Sequence, residues 1–219
     1  MSDLQLDFES PVTFFVGENG SGKSTLLEAI AVLADLPIGG GGKNEKDAGY
    51  GLAEESLLAD ALLMGFAKRP RDGYFFRADL QPHFATLLEQ REDGPWFTGD
   101  PYSRYGGETL HRQSHGEAFL AIIQNRFQSG LLILDEPESA LSPQRQLALL
   151  ALMHERVSGG RTQFIVATHS PILLTYPGAQ IISFDGDSLQ PVSLVETSHY
   201  RVTRDILNTP DVFWRHLRD

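Results

Sequence analysis

Apolar residues recur along this chain in two rhythms. Short unbroken runs, Val12–Val16, Leu131–Leu134 and Phe164–Ala167, predict strands buried on both faces. Tyr74–Phe76 reads as a further strand, and Leu4, Leu6 and Phe8 alternate with polar residues as a half-buried strand does. The second rhythm is helical. Thr25–Leu33 is rich in helix formers, and Phe119, Leu120, Ile122, Ile123 and Phe127 share one face of a helix over Glu117–Phe127. Ser142-Pro143 supplies an N-cap and a first-turn proline for a helix through Leu147, Leu150 and Leu152 towards Val157, stopped by Gly159-Gly160. Glu54–Phe66 and Pro82–Arg91 are read as helices too, and Pro37 with Gly39–Gly42 is expected to end regular structure. Ile181–Phe184, Asp185-Gly186 and Val192–Leu194 predict a hairpin, and His199–Asp219 two short helices around Pro210.

Strands alternating with helices point to an α/β fold with a mainly parallel sheet covered on both faces, plus small antiparallel and helical lobes. One domain is expected over 1–219, with an insertion of helix and loop at about 39–113 and the hairpin and helices at about 180–219. In such sheets ligands gather at the carboxyl ends of strands. Candidate chemistry follows the apolar runs directly.

After Val12–Val16 comes Gly17-Glu18-Asn19-Gly20-Ser21-Gly22-Lys23-Ser24, then Thr25 opens the helical run. The pattern G-x-x-x-x-G-K-S between strand and helix is a P-loop. Its glycines let backbone N–H groups face a polyphosphate, and the helix start adds its positive dipole end. Lys23 neutralises the β- and γ-phosphates, and the Ser24 hydroxyl suits magnesium. After Leu131–Leu134 come Asp135 and Glu136. An Asp at a strand end can bind magnesium through water, and the neighbouring Glu can orient or deprotonate an attacking water. ATP and magnesium are the cofactors implied.

Charge and composition narrow the class. The 219 residues are 41% hydrophobic and 21% charged, ordinary for a globular protein. No apolar run reaches the roughly 20 residues of a membrane span, and Met1–Gln5 has neither the basic start nor the apolar core of a secretory signal. There is no cysteine, which excludes disulfides and thiolate zinc sites. A cytoplasmic location is the expectation. The net charge of −11 repels nucleic acid on average; Lys68-Arg69-Pro70-Arg71 is a short basic run that also reads as a solvated loop.

Further motifs come in a set order: Gly17–Ser24, Gln113-Ser114-His115-Gly116-Glu117, Leu131–Glu136, Ser139-Ala140-Leu141-Ser142, and Ala167-Thr168-His169-Ser170. By itself Ser114–Glu117 reads as an ordinary helix cap. The whole order resembles the ATP-binding-cassette (ABC) class of P-loop ATPases. It is similar to the non-transporter branch of chromosome-maintenance (SMC) and recombination-repair heads, above all to compact bacterial ATPases of this AAA/ABC kind.

That resemblance implies more than the residues do. It implies two heads closing on two ATP molecules, with Ser114, His115, Gly116 and Glu117 serving as the signature that meets the other copy's γ-phosphate. It makes Ser139, Ala140, Leu141 and Ser142 the D-loop, His169 the switch histidine, and Gln81 the candidate magnesium-binding glutamine. With Glu136 and Lys23, His169 completes the expected catalytic set. The pattern departs from the family at His115, where a glycine is usual, and at Ser142, where an Asp is common. An adenine-stacking aromatic is missing.

The function expected is ATP hydrolysis coupled to an ATP-dependent homodimer, linked to DNA repair or defence, with a protein effector or DNA as partner. Two alternatives stand beside it: the nucleotide-binding subunit of a transporter, and a nucleotide-gated effector-binding module.

Overall fold

The computed structural model describes residues 5–43, 56–78, 115–127 and 129–216. Among the described residues seven strands form one sheet in the order β2-β3-β4-β5-β1-β6-β7. They are β1 Val12–Val16, β2 Gly41–Gly42, β3 Gly73–Arg77, β4 Gly130–Asp135, β5 Thr162–Ala167, β6 Gln180–Ser183 and β7 Gln190–Pro191. The five central strands run parallel, and only β2 and β7 pair antiparallel at the two edges.

The alternation within each strand decides which side chain meets which layer. Phe15 on β1, Phe75 on β3, Leu131 and Ile133 on β4, and Ile165 on β5 point to one face. There they pack on Leu26, Leu27, Ile30 and Ala31 of α1, Lys23–Leu33. Phe14 and Val16, Phe76, Leu132 and Leu134, and Phe164 and Val166 point the other way. They meet Phe119, Ile122 and Ile123 of α3, His115–Arg126, and Leu149 and Met153 of α4, Pro143–Ser158. A continuous apolar strand is thus two half-sets, each serving its own helical layer. Phe76 and Phe119 set their ring centroids 4.1 Å apart across the second interface.

Elsewhere the structure corrects the local reading. Residues 5–9 form no strand, although Leu6 and Phe8 still pack on the α1 side. Only Leu57–Asp60, α2, is helical between 56 and 66, capped by Ser56, whose Oγ accepts from the Ala59 N–H. Leu58 and Leu62 lie against the core while Leu57 is exposed, so the helical face read over Glu54–Phe66 is only partly used. Gly41–Gly42 does not end regular structure; it adds an edge strand to β3. The hairpin partner of β6 is two residues long and lies just before the predicted Val192–Leu194. The C-terminal helices are α5, Ser198–Asn208, and α6, Pro210–His216. The Pro82–Arg91 helix lies outside the described residues.

Candidate functional site

β1 ends at Val16 and α1 begins at Lys23, so the P-loop spans the turn between them. Gly17, Gly20 and Gly22 all take positive φ, at 151°, 80° and 98°. Only glycine adopts such angles at little cost, and the turn needs them to double back into a helix. A Cβ on Gly17 would also meet Phe184 Cβ at 2.9 Å. Lys23 is 4% exposed, and its Nζ donates to the carbonyls of Gly17 (2.6 Å) and Glu18 (2.9 Å). Burial holds the Lys23 ammonium below its ordinary range, opposed by the carboxylates of Glu136, Asp135, Asp185 and Glu18. Glu18, Asn19, Gly20 and Thr25 are exposed along the outer side of the loop, and Ser21 is half-buried beneath it.

β4 delivers the acids. Ser24 Oγ donates to Asp135 Oδ1 at 3.1 Å, joining the first turn of α1 to the end of β4. Among the described residues no group of three or more His, Cys, Asp and Glu gathers to hold a metal. A single hydroxyl and a single carboxylate in contact is nonetheless the sparse donor set that suits magnesium, which keeps waters and takes phosphate oxygens for its remaining positions. Ser24 and Asp135 therefore fit the ion. Gln81 lies outside the described residues.

Glu136 has left-handed backbone angles, φ 48° and ψ 52°. For a non-glycine residue this is an uncommon and strained state, and such residues concentrate at functional sites. The turn is held by the Glu136 N–H on the Ala167 carbonyl (3.0 Å) and by Ser139 Oγ on the Glu136 carbonyl (2.8 Å). It aims the Glu136 side chain at His169, whose Nε2 is 3.4 Å from Glu136 Oε1. Burial lowers the His169 imidazole below its ordinary range, helped by Lys23 and His199 and opposed by Glu136.

Gly116 is buried in the first turn of α3, where a Cβ would lie 2.7 Å from the Ala140 carbonyl and 2.9 Å from Arg145 Nη1. Glu117 pairs with Arg145 at 2.8 Å. Ala140 and Leu141 belong to the turn after β4, and Ser142 Oγ caps α4 by accepting from the Arg145 N–H. The positions expected to form the signature and the D-loop are thus neighbours within one chain. Ser114 lies outside the described residues, as does the side chain of His115.

Several residues at this sheet edge escaped the sequence reading. Asp185, just after β6, accepts from the Glu18 N–H at 2.8 Å and braces the P-loop. An acid directly after an apolar strand is the same signal that marks Asp135, and it was legible. Glu138 accepts from the His169 N–H (2.5 Å) and from Thr168 Oγ1 (2.8 Å). Gln146 on α4 accepts from Ser170 Oγ and donates to the Leu141 carbonyl. His199 on α5 meets His169 ring to ring. Its 30-residue separation from His169 leaves no local signal.

Two AAA-domain family models match, one over residues 2–55 and one over residues 114–175, the second described also for the AbiEii toxin of a type IV toxin–antitoxin system. The DNA replication and repair protein RecF of Leptospira interrogans serovar Lai is 30% identical over 122 residues, covering 47% of this chain and 33% of that protein. RecF of a Synechococcus strain is 35% identical over 65 residues, covering 30% and 17%. The chain thus matches a third or less of the length of these relatives. Among solved structures, the SMC head domain of Thermotoga maritima is similar with TM-score 0.46 and 17% identity, over 86% of this chain and 92% of that one. A dimeric bacterial ABC transporter cassette gives 0.45 and 16%, over 86% and 88%. By its motif order and by the AAA-domain models that match residues 2–55 and 114–175, the chain is similar to P-loop ATPases of the AAA/ABC kind.

Proposed function

We propose that this chain binds ATP with magnesium and hydrolyses it, and that two copies close on the nucleotides to do so. The observation that carries the reading is the Ser24–Asp135 contact at 3.1 Å, with Glu136 turned beside it towards His169. The P-loop N–H groups and Lys23 would hold the β- and γ-phosphates. Ser24 and Asp135 would hold magnesium, which when bound offsets charge on those oxygens. Glu136 takes the proton of the water that attacks the γ-phosphorus, as the bond to the β–γ bridging oxygen breaks. His169 donates to a γ-phosphate oxygen. Ser114, Gly116 and Glu117 are assigned to the second copy's nucleotide, and Gln81 to the magnesium shell.

The task of the cycle is proposed to be a DNA transaction, acting on DNA directly or through a protein effector in the cytoplasm. Support comes from the RecF matches, since those relatives are named for DNA replication and repair. Among the described residues no helix is long and apolar enough to cross a membrane.

Light scattering tests the proposal. Glu136→Gln with saturating ATP and magnesium is expected to accumulate as a dimer, with turnover reduced about 10²–10⁴-fold, the usual share of a general base. A variant that stays monomeric, beside a wild type that hydrolyses at full rate as a single subunit, overturns it. Linear DNA at low salt should raise turnover; no response to any DNA removes direct DNA action and leaves the effector route.

A further inference from the structure

We infer that His199, on the C-terminal helix α5, is a positioning residue that sets the tautomer of His169. The inference rests on the reading of His169 as a donor to the γ-phosphate. His169 Nδ1 and His199 Nε2 are 2.8 Å apart, and the two rings tilt by 59° with centroids 4.9 Å apart, an edge contact and not a stack. Two neutral imidazoles in such contact must share a single proton between the facing nitrogens, so one ring donates and the other accepts.

The surroundings decide which. His169 Nε2 is buried, without a well-formed hydrogen bond, and the nearby anion is the Glu136 carboxylate at 3.4 Å. A bare nitrogen lone pair facing a carboxylate is repelled, whereas an N–H there is attracted. The proton of His169 therefore sits on Nε2, and Nδ1 is bare. His199 must then supply Nε2–H to that bare nitrogen. This leaves His199 Nδ1 bare as well, and Ser198 Oγ lies 3.5 Å from it with a hydroxyl to turn towards it. Every polarity along Ser198, His199, His169 and Glu136 is consistent with that single arrangement.

The arrangement has a chemical consequence. In the neutral ring the Nε2–H of His169 can donate to a phosphate oxygen only while Nδ1 is bare. In the other tautomer a lone pair would face the phosphate. His199 thus holds the catalytic imidazole in the donor form from a helix that lies outside the parallel α/β core. α5 is anchored near its start, where Thr197 caps it by accepting from the Tyr200 N–H, while none of its own residues is buried.

Nitrogen-15 spectra of the imidazoles in the full chain, without nucleotide, test the tautomer directly, with His169 assigned by the signals lost in His169→Asn. The expected spectrum shows His169 Nε2 protonated and Nδ1 bare in the wild type. His199→Gln, whose amide N–H can still donate, keeps that form. His199→Phe loses it and lowers kcat for ATP about 10–100-fold, the usual cost of removing a group that orients an imidazole, with little change in KM. A wild-type His169 protonated on Nδ1 overturns the inference, as does a His199→Phe protein with unchanged spectrum and unchanged kcat. A fully active His169→Ala protein would instead sink the γ-phosphate role given to His169 above, while the spectra would still decide the tautomer.

Discussion

The Glu138 carboxylate grips His169 by its backbone: the His169 N–H donates to Glu138 Oε1 at 2.5 Å, while Oε2 takes the Thr168 hydroxyl at 2.8 Å. One half-buried carboxylate thereby ties the turn after β4 to the turn after β5. Removing it would strand an N–H and a hydroxyl. Each orphaned group costs about 1–3 kcal/mol, so Glu138→Ala should lose several kcal/mol in urea unfolding, and Glu138→Gln less.

The same residue gives a pH signature. Burial pushes the Glu138 carboxyl above its usual 4.5, more than the hydrogen bonds from His169 and Thr168 pull it down. The folded state then binds more protons than the unfolded chain in the window just above pH 4.5. Stability from this group is full below that window and falls as pH rises through it. His169, lowered from 6.5 by burial, acts in the opposite direction: its contribution is full above 6.5 and falls as pH drops through the window beneath. Unfolding measured against pH should therefore lose its alkaline-going decline above 4.5 in Glu138→Gln, and keep it in His169→Asn.

Glu136 is held in a left-handed conformation that glycine takes freely. Glu136→Gly should raise the unfolding free energy by about 1 kcal/mol, seen as a higher Tm, while turnover collapses. A variant that melts lower would show the turn to be unstrained.

Gly116 faces a backbone carbonyl that cannot step aside. Gly116→Val would drive a side chain into Ala140 and Arg145, and overpacking of this kind costs about 1–3 kcal/mol. The Arg145–Glu117 pair at 2.8 Å should be disturbed too. Calorimetry should show a lowered Tm even without nucleotide, which separates this packing role from any contact across a dimer.

Local chemistry carried much of the site in the sequence. Gly17–Ser24 and Asp135-Glu136 each need one strand, one turn and a fixed spacing, so their neighbours in sequence are also their neighbours in space. The unbroken apolar runs announced the parallel strands for a similar reason, because a strand covered on both faces has no polar side to show. Leu6 and Phe8 misled: alternation records that both side chains turn to the core, and a coil can do that without pairing. Glu54–Phe66 misled in the opposite sense: its apolar residues have helical spacing, yet among the described residues only Leu57–Asp60 is helical.

Sequence by itself determined the glycine-rich turn after β1, the acids after β4, and the α/β class, all of which follow from spacing and from period-two or period-3.6 burial. Only the tertiary structure decided that Ser24 meets Asp135, that Glu138 holds His169, and that His199 returns from the far end of the chain to face it. Those pairs are 111, 31 and 30 residues apart in sequence. No local rule of spacing reaches that far; strand order and the packing of helices on two faces bring such residues together.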